Sequence, residues 1–176
     1  MGVPVISIRL INGGRIGGTE IVQNPQDAVK VIAEELADQV REIVYVMNID
    51  ARGHVLSVYQ AGLGTTDYAV VTGKDIFQAA ILSNASSIIL IHNHPGQDPT
   101  PSQADFLLTT SIRNLGFQLG IELADHIIVA GGNAENIVSF RENNFFERIN
   151  KNGKNKNTYK RNRCANVNCN VHGNTV

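Results

Sequence analysis

His92 and His94 stand two residues apart at the end of an apolar run that begins at Ser87, and Asp105 follows shortly after. Side chains at i and i+2 leave the same face of a strand, so both imidazoles point into one space. Neutral imidazole suits a borderline metal such as zinc, bound at ~2.0–2.1 Å. Pro95, Pro99 and Pro101, three of the five prolines in the chain, stiffen the connection that follows, because proline leaves a loop fewer conformations to lose on ordering. Ser102 then opens a helix and puts Asp105 in its first turn, where a carboxylate can turn back toward the strand end. Two histidines and an aspartate leave one position open for water, the pattern of a catalytic zinc rather than a structural one. A metal-free reading also exists. Ser102 and Asp105, as S-x-x-D, fit a helix N-cap with an acidic residue at N3, and two histidines beside a proline loop can form a hydrogen-bonded corner. The convergence of two rings, a carboxylate and an open strand end favours the metal.

The elements that must position these groups read as alternating strands and helices, with no internal repeat. Val3 to Leu10 has strand character, and Gly13-Gly14 and Gly17-Gly18 lack the strand-turn-helix setting of a phosphate loop and read as turns. Pro25 suits a first helical turn, and Ala28, Val31, Ile32 and Leu36 give that helix an apolar stripe up to about Val40. Ile43 to Ile49 is a strong strand, turning at Asp50-Ala51-Arg52-Gly53 into His54 to Ala61. Lys74 to Leu82 predicts a helix facing its core with Ile76, Ala79, Ala80 and Leu82. Strand Ser87 to His92, helix Ser102 to Leu119, strand Asp125 to Ala130 and a short strand Ile137 to Phe140 complete the body. Such alternation points to an α/β arrangement, a sheet flanked by helices.

Set in this order, HNHPGQDPTPSQAD, with a glutamate upstream, resembles the JAMM motif of the JAB/MPN metalloprotease superfamily, and within it the RadC-like branch, whose usual string is HNHPSG followed by PSxxD. VREIVYVMNIDARGHVLSVYQAGLGT before the motif, and LGIELADHIIVAGG with IVSFRE after it, resemble the same branch in order and spacing. Gly96-Gln97 stand where Ser-Gly is usual, which bears on loop geometry rather than on the ligands. The helix-hairpin-helix region that often precedes this domain has no counterpart in the two dozen residues before Pro25. The resemblance implies an α+β fold with a curved mixed sheet, of cytidine-deaminase-like architecture, over residues 24–150, after an N-terminal strand extension at 1–23. It implies zinc on His92, His94 and Asp105, Glu42 as general base, and Ser102 steadying an oxyanion. From spacing alone Glu42 is a solvated strand end, no better placed than Glu34, Glu35 or Asp50. His126, which follows Asp125 as in the family string, reads as a structural histidine or as a partner for a ligating one.

Composition bounds the rest. The chain has 176 residues, 43% hydrophobic and 18% charged, enough for one folded domain. No stretch reaches the length of a membrane span, and MGVPVISIRL lacks the pattern of a signal peptide, so a cytoplasmic protein is expected. A net charge of −1 conceals an asymmetry: six basic and no acidic residues follow residue 150, leaving nine basic against 16 acidic before it, about −7. An acidic body docks nucleic acid poorly. Residues 151–176 are basic and rich in asparagine and read as a disordered tail, at most a weak nucleic-acid contact. Cys164, Cys169 and His172 lack a fourth ligand and fit no common zinc pattern. A zinc deaminase would need H-x-E and P-C-x-x-C, and an HNH nuclease spreads its three residues over a larger unit. The expected activity is therefore hydrolysis of a peptide or isopeptide bond in a peptide or protein substrate. The rival is a DNA-repair-associated binding module with a structural or idle zinc.

Overall fold

The computed structural model describes residues 21–36, 39–63, 71–131 and 133–153. The expected strand at Val3 to Leu10, the glycine pairs at 13–14 and 17–18, and Cys164, Cys169 and His172 lie outside them. The described chain runs α1 (Pro25–Val31), α2 (Ala33–Leu36), β1 (Ile43–Ile49), β2 (Val55–Leu63), α3 (Gly73–Leu82), β3 (Ser87–His94), α4 (Gln103–Leu119), β4 (Glu122–Ala130), β5 (Ile137–Ser139) and α5 (Phe145–Gly153). The five strands form one sheet in the order β2-β1-β3-β4-β5. It is mixed, as expected: β3 and β4 are parallel, and the other neighbours are antiparallel. Parallel neighbours need a crossover, and α4 supplies it.

Alternation along the strands divides the core in two. Tyr45, Met47, Ile89 and Ile91 pack with Ala28, Ile32 and Leu36 on the face covered by α1 and α2. Val44, Val46, Ile88 and Leu90 pack with Ile76, Phe77 and Ile112 on the face covered by α3 and α4. Period-two alternation then assigns Glu42, His92 and His94 to the α3/α4 face. A register shift between Ile88 and Ile89 leaves Ala124 extra, pairing Ile88 with Leu123 but Ile89 with Asp125. A one-residue slip exchanges the two faces, and here it brings His126, opposite Leu90, onto the same face as the histidine pair.

Three expectations need correction. The first helix is broken rather than continuous to Val40. Ile32 leaves helical dihedrals at φ −118° and its N–H bonds tightly back to Val29 O at 3.1 Å, in a stretch where adjacent β-branched residues weaken helix propensity. Its stripe nevertheless lies inward, with Ala28, Val31, Ile32 and Leu36 all buried, whereas Val40 is exposed. In α3 the inward residues are Ile76, Phe77 and Ala80, while Leu82 is on the surface; at 100° per residue, 76, 77 and 80 form one stripe and 82 falls off it. Third, helix continues past residue 150 in α5. Its start is fixed by tertiary contacts, with Phe145 meeting Phe140 edge-on, Phe146 tilted against it and Arg113 lying 4.4 Å over Phe146, which no local propensity announces.

Candidate metal centre

The site forms where β3 ends and α4 begins. Chains in open α/β sheets leave a crevice beyond the carboxyl ends of their strands, and this one is lined by Glu42, His92, His94 and Asp105. His92 is nearly buried, and its ring meets that of His94 edge-on at 4.9 Å. Glu42, one residue before β1, approaches from the antiparallel neighbour, with Oε2 3.5 Å from His92 Nε2. Asp105 approaches from α4, its Oδ1 3.1 Å from His92 Nδ1 and its Oδ2 3.7 Å from His94 Nε2. One ligand atom from each of Glu42, His92 and His94 lies within 4.8 Å of the others. That set differs from the expected triad, in which Asp105 is the carboxylate. The two sets overlap on the histidines, and Asp105 makes the shorter approach to His92. The chain thus presents two carboxylates, one on each side of the same imidazole.

Each group is held by its own support. Ser102 caps α4 and forms a reciprocal box with Asp105: Ser102 Oγ accepts from Asp105 N at 3.2 Å, while Ser102 N and Oγ both donate to Asp105 Oδ2 at 2.7 Å. S-x-x-D therefore does form an N-cap, and the same cap aims the Asp105 carboxylate at the histidines. Its place in the first helical turn also favours negative charge. His94 Nδ1 lies 3.1 Å from the carbonyl oxygen of Asp98, a contact in which Nδ1 carries the proton, and Nε2 is the nitrogen that faces Asp105. The loop carrying Asp98 is tied down too, by Gly131 N to His94 O at 3.0 Å and Asn136 Nδ2 to Gln97 O at 2.9 Å. The Gly96-Gln97 departure thus leaves the loop anchored.

Burial and charge act on His92 in opposite directions. Burial alone would depress its pKa; Asp105 and Glu42 outweigh burial and hold it up at about 9. Contact with Asp105 raises His94 as well, against partial burial. Burial would raise Asp105, but its contacts with both histidines and Ser102 hold it well below the usual carboxylate range. Two carboxylates around one buried ring call for a positive charge, which a proton on His92 or a bound cation would supply. Neither approach is aligned as a hydrogen bond, and both His92 nitrogens are left without a partner. Buried polar atoms are rarely orphaned, so the donor set fits a divalent cation better than it fits itself. Imidazole and carboxylate suit zinc among others.

The structure brings Glu42, His92, His94, Ser102 and Asp105 together. The competing acids stand elsewhere: Glu34 and Glu35 are on α2, and Asp50 follows the far end of β1, where its carboxylate receives Arg52 N and His54 N in the hairpin turn. His126 is fully buried, 2.7 Å from Thr109 Oγ1 through Nδ1 and stacked 6.1 Å from His92. Burial, reinforced by the charge on His92, depresses its pKa to about 3, so it stays neutral. Two contributors escaped the sequence reading. Thr109 also donates to Asp105 O at 2.6 Å, and one helical turn after Asp105 was its only signal. Asn93 was visible only as a letter between two histidines.

Comparison with known proteins assigns the chain to a family. A UPF0758 protein of Shouchella clausii is 33% identical over 129 residues, covering 73% of this chain and 55% of its own length. A UPF0758 protein of Thermotoga maritima is 38% identical over 124 residues, covering 69% of this chain and 54% of its own. The chain therefore spans about half the length of these curated relatives. Residues 22–145, from the residue after the Ile21 bridge to the first residue of α5, match one family throughout, and the chain belongs to the RadC-like JAB domain family.

Proposed function

We propose that the protein is a JAMM-type metallohydrolase that cleaves a peptide or isopeptide bond, with zinc held by His92, His94 and Asp105. The observation that carries this reading is the buried His92 ring, flanked by two carboxylates and with neither nitrogen hydrogen-bonded. A zinc ion held there would supply Lewis acidity, bringing the pKa of a water toward 7 and polarising a scissile carbonyl. The remaining duties belong to the chain. Glu42 is partly open to solvent and borders the site opposite Asp105, so Oε2 can take a proton from water and return it to a leaving amine. Ser102 Oγ currently gives its proton to Asp105 Oδ2. To steady an oxyanion the hydroxyl turns outward, and Asp105 keeps the Ser102 N–H in the meantime.

The test separates ligand from base. Glu42→Gln is nearly isosteric and should keep one zinc while hydrolysis of a fluorogenic peptide library falls on the order of 10² to 10⁴-fold. His94→Ala should lose both. In cells, Glu42→Gln should fail wherever His94→Ala fails. Full complementation by Glu42→Gln alone would make the zinc structural and favour the DNA-linked binding module instead.

A further inference from the structure

Asn93 stands between the two histidines in sequence and is only 2% exposed, yet its side-chain hydrogen bonds go to neither of them. Its Oδ1 accepts from Ile43 N at 2.6 Å, and its Nδ2 donates to Arg41 O at 2.9 Å. One carboxamide thus bridges the peptide groups on both sides of Glu42. The location matters because Glu42 lies outside β1, and the last paired Cα positions of β1 and β3 are Val44 and His92. One residue further, a side chain takes over the role of the strand ladder. A strand end held only by its own ladder frays; here it is clamped from the segment that carries both histidines.

We infer that Asn93 is a positioning residue that fixes Glu42 against His92 and His94, so that base and ligands move as one body. The inference rests on the hydrolase reading of the site. Asparagine suits the task because it offers an acceptor and a donor on one rigid plane, and alanine offers neither. A residue needed only for folding would weaken the site whatever occupied position 42. A clamp acting through Glu42 has nothing to position once that carboxylate is gone.

A double-mutant cycle on zinc affinity, measured by chelator competition, separates the two. Asn93→Ala should weaken zinc binding about tenfold, as loss of outer supports typically does. In a Glu42→Ala background the same change should cost less than about twofold, because coupled residues are not additive. Amide hydrogen exchange at Ile43 should quicken about tenfold in Asn93→Ala while Val46, in mid-strand, is unchanged. Equal losses in both backgrounds, or unchanged zinc affinity in the single variant, would overturn the clamp. If Asn93→Ala fails to fold, Asn93→Ser is carried through the same cycle, and failure of both to fold also counts against it. A wild-type protein that takes up no zinc overturns the hydrolase reading and the clamp's role together; zinc uptake with additive losses overturns the clamp alone.

Discussion

Asp105 does two jobs with one carboxylate, closing the N-terminal box of α4 and facing both histidines. Removing its partner should therefore register twice. Ser102→Ala should cost about 1 kcal/mol of stability, the usual value of an N-cap, and should also weaken zinc binding, because the carboxylate loses one of the two donors to Oδ2. Chemical denaturation and zinc titration of the same variant check both, and a stability loss with unchanged affinity would reduce Ser102 to a cap. At this scale the sequence was legible where chemistry is local. The i, i+2 spacing of His92 and His94 already forces a shared face. Glu42 was not legible by spacing, since only strand pairing brings residue 42 to residue 92. Asn93 was less legible still, because its partners are backbone atoms about fifty positions away.

Elements carry these residues to their places, and their packing is testable apart from the chemistry. Helix α4 ends at Gly120, in the left-handed region at φ +71°, and Ile121 N returns to Gly116 O at 2.9 Å. At Gly116 a Cβ would stand 2.3 Å from Ile121 O and 3.2 Å from the Phe77 ring. Gly116→Ala should therefore destabilise the protein by roughly 1–3 kcal/mol, since the backbone carbonyl cannot swing aside. Gly96→Ala, with nothing within 4 Å of its Cβ, should be near neutral. Thermal melts of the two variants suffice, and equal melting temperatures would contradict the α4–β4 packing described. Strand and helix types followed from periodicity, whereas their limits and faces depended on neighbours. The break at Ile32 and the inward turn of Phe77 are packing outcomes. The β4 bulge that places His126 leaves no mark in an apolar run.

On the scale of the whole molecule, the proposed zinc binding should be linked to folding. The site draws on β1, β3 and α4, and it exists only when all three are assembled. Zinc that binds the folded state alone should raise the melting temperature, by about 2.7 kcal/mol of stability at a hundredfold excess over its dissociation constant. Chelator should reverse the shift, and a melting temperature indifferent to both would argue against a site of this kind. Among the described residues no helix is long and apolar enough to cross a membrane. The proposed ligands His92, His94 and Asp105 all lie within the residues matched to the family, 22–145. The most direct measurement is therefore the zinc content of the purified protein beside that of a His92→Ala/His94→Ala variant. One zinc per chain in the first and none in the second is the predicted result. Zinc retained at full content by the double variant would contradict the centre, and would move attention to Cys164, Cys169 and His172.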